Sequence, residues 1–296
     1  MKKEYLVLWA LFGFAHWGFA QSVPDSVAFK KAAWQTQTLG KGIVWKQFHF
    51  NEKQVFQSNQ YINILETKLK NRKVRFALVS SDSVNTSPKK LLKTSQLAQK
   101  ANAFAAVNGT FFDTKKFGSV DLIKINGQVL DTTRWAKTAS GAEHQLSAIS
   151  IHHNKVAIVK GRNESGWDKE LSAENVMVTG PLLIFEGMPE VLKKVPFNDS
   201  RHPRTCACVT YDKRLLLVTV DGRTNQSYGM SLPELTRMLT WLGCKSAINF
   251  DGGGSTTMYI ANQPDSGVVN MPCDNRQFDH FGERAVSNIM AILPKK

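Results

Sequence analysis

The chain has 296 residues, 42% of them hydrophobic and 21% charged, and a formal charge of +14 at pH 7. That composition excludes a disordered, collagen-like or coiled-coil chain, and the four cysteines are too few for a disulfide-built scaffold. A chain of this length admits one or two domains and buries enough surface on folding to need no covalent staple.

Residues 1–20 read as a secretory signal. Lys2 and Lys3 give a basic start, residues 6–15 are apolar apart from Gly13, and Gly18-Phe19-Ala20 sets small residues at the cleavage positions. Cleavage after Ala20 is expected, and the protein is expected outside the cytoplasm, periplasmic or extracellular. The apolar run is short for a bilayer span and no other stretch is long enough, so no stable membrane span is expected after cleavage.

Residues 21–40 are polar and mixed and read as a leader, and residues 41–296 as one domain. Alternation begins at Ile43, Trp45, Phe48 and Phe50, and strand-like runs follow at 61–65 and 74–79. Ser87-Pro88 opens a helical pattern over 89–102. A buried strand over 103–107 ends in Asn108-Gly109, and 121–125 with 128–130 forms a hairpin around Asn126-Gly127. Further strands are expected over 146–152, 156–159, 176–179 and 182–185, with a hairpin at 205–211 and 215–220. Ser231, Pro233 and Glu234 make a capping box for a helix that ends at Gly243. Short strands over 247–250 and 286–293 complete a single α+β domain, mixed and strand-rich with few helices.

The basic surface of an exported chain suits anionic partners such as a phosphorylated glycan or an envelope polymer. The lysines are scattered and no nucleic-acid-binding motif is present, so no nucleic-acid partner is expected. Cys206 and Cys208 share one strand face and, with Cys244 and Cys273, lack the spacing of a zinc site; they read as core residues in a compartment that permits one disulfide. His152 and His153 are strand neighbours pointing to opposite faces, which argues against a metal pair. Oligomeric state is not readable.

Five segments carry chemistry. Asn249-Phe-Asp-Gly-Gly-Gly-Ser-Thr-Thr257 delivers the Asp251 carboxylate at a strand end, followed by glycines that let backbone approach a ligand and by the Ser255 and Thr256 hydroxyls. Asn108-Gly-Thr-Phe-Phe-Asp113 likewise leads from a buried strand into a glycine and a carboxylate. Arg201-His-Pro-Arg204 brings a guanidinium to a core strand, Asp221-Gly-Arg223 sets both charges at a strand end, and Gly282-Glu283-Arg284 precedes the last strand. Each alone also fits an ordinary turn or a rim arginine. Together they outline a site for an anionic, hydroxylated ligand.

The order of these motifs, with Gly180-Pro-Leu-Leu-Ile and Ser231-Leu-Pro-Glu-Leu between them, resembles the phosphodiester glycosidase family over roughly residues 104–293. The chain departs from the family at Thr110, where a second glycine is usual, and at Asp212-Lys213, an Asp-Gly turn in the family. Small residues are typical where Cys206, Cys208 and Cys244 stand. The resemblance implies hydrolysis of a sugar-1-phosphate diester at the anomeric C–O bond. It implies Asp251 as base or nucleophile, with Asp113 and Glu283 behind it. Arg204, Arg284 and the amides of Gly252, Gly253 and Gly254 would hold phosphate; Asn108, Gly109 and Asn249 would face the sugar; Asp221 and Arg223 would orient neighbours. The motif demands no cofactor, though several carboxylates together suit Ca²⁺. The competing expectation is a non-catalytic glycan-binding or exopolysaccharide-assembly protein using the same pocket.

Overall fold

The computed structural model describes residues 24–81, 90–134 and 142–295; the expected signal segment lies outside them. An eight-stranded sheet runs, in spatial order, Gln35–Gly40, Ile43–Val55, Ser58–Lys68, Arg214–Val220, Arg204–Thr210, Cys244–Asn249, Leu182–Phe185 and Met188–Pro189. A five-stranded sheet runs Lys155–Lys160, Ser147–His152, Asn175–Val178, Ile123–Ile125 and Gln128–Asp131, and a four-stranded sheet runs Met258–Ile260, Ala105–Asn108, Asn288–Pro294 and Val74–Ser80. Leu92–Lys93 pairs with Ala285–Val286. The pairings within the sheets are antiparallel.

Both faces of the large sheet are buried, and the side-chain alternation of its central strands shows why. Ala207, Leu217 and Ile248 join a core shared with the four- and five-stranded sheets, whereas Cys206, Cys208, Leu216 and Val218 face a second core. Helix Leu232–Trp241 covers that second face with Leu235, Met238 and Leu239. Its start is fixed reciprocally: Glu234 N donates to Ser231 Oγ at 3.3 Å and Ser231 N to Glu234 Oε2 at 2.9 Å. The fold is therefore the strand-rich α+β domain that the hydrophobic patterning indicates.

Two local readings change. The helix expected over 89–102 is Thr94–Lys100, because Leu92–Lys93 is drawn into strand pairing. Residues 25–40, polar by composition, form helix Asp25–Lys31 and an edge strand. Phe29 anchors the helix, buried and stacked on Phe50 with ring centroids 5.6 Å apart, and Ala28 packs against the same core. The cysteine question also resolves. Cys208 and Cys244 form a disulfide across adjacent strands, Cα–Cα 5.7 Å, while Cys206 and Cys273 are free and buried. Burial pushes the Cys206 thiol far up, so it is unreactive core.

Candidate active site

Antiparallel register gathers the chemistry-bearing strand ends at one edge. Arg204 lies opposite Val220, and Cys206 opposite Asn249. Asn108, at the end of Ala105–Asn108, fastens the third strand there. Its Oδ1 accepts from Thr205 Oγ1 at 2.7 Å and Thr257 N at 3.1 Å, and its Nδ2 donates to Asp251 O at 2.7 Å. Asp251 N in turn donates to Gly109 O at 3.0 Å. Asn108 and Asp251, 143 residues apart in the chain, are thus neighbours, with Arg204 one short step away.

The glycines after Asp251 give room to two arginines. Gly253 is left-handed (φ 60°), and a side chain there would meet Arg223 Nη2 at 2.9 Å. Gly254 is packed against Arg284 and Asp274, which form a two-pronged pair at 2.8 Å on each prong. Arg223 is exposed, stands in the left-handed region (φ 66°), and among the described residues pairs with no carboxylate. A left-handed backbone at a β-unbranched residue costs about 1 kcal/mol or more, and such strain collects at functional sites. Burial pushes the Asp251 carboxyl up to about 6; the nearby Ser255 hydroxyl, the Gly252 N–H, Arg284 and Arg223 pull the other way. Asp251 is nonetheless only half-buried. The Thr256 hydroxyl is buried without a hydrogen-bond partner, whereas the Ser255 hydroxyl bonds to Asp251. A buried orphan such as Thr256 costs about 1–3 kcal/mol, which suits a group held ready for a ligand.

Several expected ligands are turned to other work. Arg204 is almost wholly buried. Its Nε donates to Met230 O at 2.8 Å and its Nη2 to Phe197 O at 2.7 Å and Ser200 O at 3.0 Å, so the guanidinium faces the protein rather than a phosphate. Asn108 and Asn249 are fully buried. Asn249 Nδ2 donates to Gly180 O and Phe250 O, which places it under the site and not against a sugar. Gly109 packs on Asn288. The amides of Gly252 and Gly253 are committed to Asp251 Oδ1 at 2.9 Å and Pro203 O at 2.9 Å, so neither serves as the anion donor expected of it. Both Glu283 oxygens accept from Ser95, N at 3.0 Å and Oγ at 2.6 Å, holding the first turn of Thr94–Lys100. Asp113 closes its own turn by accepting from the amides of Lys115 and Lys116, which lower its carboxyl. Asp221 is buried and accepts from Asn270 Nδ2 at 2.7 Å and Met271 N at 2.9 Å; burial pushes it up to about 7. It braces the loop under Thr256, whose carbonyl accepts from the same Asn270.

Three groups at this edge carry no sequence signal. Asp274 holds Arg284. His202 lies near Arg204 and Arg223; burial first, then those two charges, lower its imidazole and favour the neutral form. His144 Nδ1 meets the fully buried Asp121 at 2.6 Å, and its ring packs on Phe111 at 5.3 Å. Residues 23 apart in sequence with no shared element give no pattern to find. The expectation for His152 and His153 is also corrected. The strand stops at His152 and His153 turns left-handed (φ 47°), so the two rings meet at 4.1 Å beside Glu174. Among the described residues these three form the one group whose ligand atoms converge as a metal site would require, and the site carboxylates do not.

A family model described as phosphodiester glycosidase matches residues 101–293. Among curated proteins, the SPbeta prophage-derived uncharacterized protein YomE of Bacillus subtilis (strain 168) is 27% identical over 164 residues, 54% of this chain and 24% of that protein, so the chain spans about a quarter of that relative. Among solved structures, the zebrafish N-acetylglucosamine-1-phosphodiester alpha-N-acetylglucosaminidase catalytic domain, auto-inhibited by its pro-peptide, superposes with a TM-score of 0.64 at 19% identity, covering 91% of each chain. A hypothetical protein from Synechocystis gives 0.67 at 13% identity, covering 89% of this chain and 64% of that one. At such identities these two likenesses establish the fold. The family match reaches over more than half of the chain and contains Asp251 with its glycine loop: the chain belongs to the phosphodiester glycosidase family.

Proposed function

We propose that the protein is an exported hydrolase that cleaves the anomeric C–O bond of a sugar-1-phosphate diester, on a phosphate-bearing glycan or cell-envelope polymer. One observation carries this reading: a half-buried carboxyl at Asp251, raised to about 6, followed by a glycine loop against which two guanidiniums pack, Arg223 at Gly253 and Arg284 at Gly254. Arg223 and Arg284 hold the phosphate and favour its departure as a monoester anion. Asp251, ionised above its raised pKa, takes a proton from water as the water oxygen bonds to the anomeric carbon and the C–O bond to phosphate breaks. Phosphate leaves far more readily than a sugar alkoxide, so the site has less need of the second carboxyl of ordinary glycosidases. That accords with Asp113 and Glu283 being engaged elsewhere. The Cys208–Cys244 disulfide suits an oxidising compartment and supports export.

The test is turnover of a panel of sugar-1-phosphate diesters by the protein without residues 1–20. Free sugar and a phosphomonoester are expected, with a loss on the order of 10²-fold or more in Asp251→Asn. No turnover of any diester, with measurable glycan binding, would establish the binding-protein reading instead.

A further inference from the structure

A cavity of about 390 Å³ adjoins the site, lined by Phe111, Glu143, His144, Pro181 and Phe197. We propose that it is the subsite for a single sugar ring, with Phe111, Phe197 and Pro181 as its apolar wall and His144 as its fixed hydrogen-bonding group. This rests on the reading of Asp251 as the reacting carboxylate.

Placement comes from connectivity. Asp251 N is bonded to Gly109 O, and Phe111 follows two residues later and lines the cavity. On the other side of the lining, Pro181 O accepts from Asn249 N at 3.0 Å, two residues before Asp251. Asp251 therefore connects on one side to two residues close to the cavity wall and on the other to the glycine loop that Arg223 and Arg284 approach. In a sugar-1-phosphate diester the anomeric carbon stands at the junction of ring and phosphate. With phosphate on the guanidiniums, the ring is directed into the cavity.

The lining has the chemistry of a small-ligand site, apolar walls with few fixed polar groups, and its volume lies near the lower end of the usual range of about 300–1,000 Å³. That admits one ring rather than a polymer segment. Its walls are held from behind. The Phe111 and Phe197 rings meet edge to face at 6.0 Å, and the Arg204 guanidinium lies 5.1 Å from the centre of Phe197. Arg204 thus supports the subsite without touching the phosphate. His144 is oriented by a buried carboxylate: Asp121 Oδ2 takes its Nδ1, and Asp121 Oδ1 is fixed by Gln145 Nε2 at 3.1 Å. With Nδ1 engaged by Asp121, the other ring nitrogen, Nε2, is left to hydrogen-bond a sugar hydroxyl.

The experiment uses the Asp251→Asn protein and two probes by calorimetry: inorganic phosphate and a set of sugar 1-phosphates, including those of glucose and N-acetylglucosamine. At least one sugar phosphate should bind more tightly than inorganic phosphate. Phe111→Ala and His144→Gln should each weaken that sugar phosphate about tenfold or more, as expected when a good apolar or hydrogen-bonding contact is removed, and leave inorganic phosphate unchanged. Phe111 is half-exposed, so its truncation leaves the fold intact. Equal loss for both probes, no loss, or no preference for any sugar phosphate would overturn the subsite. If sugar phosphates bind in this cavity-dependent way while the parent protein cleaves no diester, the subsite stands and the hydrolase reading falls.

Discussion

At the residue scale, the role proposed for Asp251 rests on surroundings that oppose each other. Burial favours the neutral acid, while the Ser255 hydroxyl and the Gly252 N–H, then Arg284 and Arg223, favour the anion, and the balance falls near 6. Only the anion can accept a proton, so hydrolysis should rise with pH through a limb near 6. A pH–kcat profile checks this: the limb should be present in the parent protein and absent from the residual activity of Asp251→Asn, and a limb that survives the substitution would assign the titration to another group. The motif Asp-Gly-Gly-Gly-Ser was legible in the sequence because its order among the other strand-end motifs, and not the glycine-rich turn by itself, set it apart. The partners of that carboxylate were less so. Nothing in one dimension shows that Arg223 approaches Gly253 while Arg204 turns inward.

At the element scale, Arg204 joins the first residue of its strand to helix Pro196–Asp199 and to the segment before Ser231 through three carbonyl bonds. Burial lowers its guanidinium only to about 10, so it is charged at neutral pH. Arg204→Lys keeps the charge but cannot span those acceptors, and each buried carbonyl left without a donor costs about 1–3 kcal/mol. Urea unfolding should therefore show a clear loss of stability, with inorganic phosphate affinity unchanged; unchanged stability with weakened phosphate binding would return Arg204 to the phosphate site. Strands and the long helix were readable from alternation and from the capping box. Strand ends were readable as places, but not the hydrogen bonds that Glu283, Asp113 and Asn108 make there. Such bonds depend on register between distant strands, set by packing of the whole sheet.

At the scale of the whole molecule, three sheets share one core, and the fold carries a pH-dependent penalty at Asp221. Its carboxyl has an ordinary value of 3.8 and is raised to about 7 in the fold. The folded state therefore retains a proton that the unfolded chain releases, so this contribution to stability is complete below about pH 4 and is lost as pH rises toward 7. Asp251 adds a smaller effect of the same sign. Unfolding free energy from urea titrations should decline over that window in the parent protein and decline less in Asp221→Asn, which has no proton to lose. Equal declines would show that Asp221 titrates normally.

The two possible cleavage points of a sugar-1-phosphate diester differ in which atom water attacks. Arg223 and Arg284 beside the carboxylate favour attack on the anomeric carbon, with phosphate as the leaving group. Hydrolysis in ¹⁸O-labelled water, read by mass spectrometry of both products, distinguishes them. Label in the free sugar and none in the phosphomonoester is the expected result. Label in the phosphate product would mean that the P–O bond was cut and that the protein acts as a phosphodiesterase.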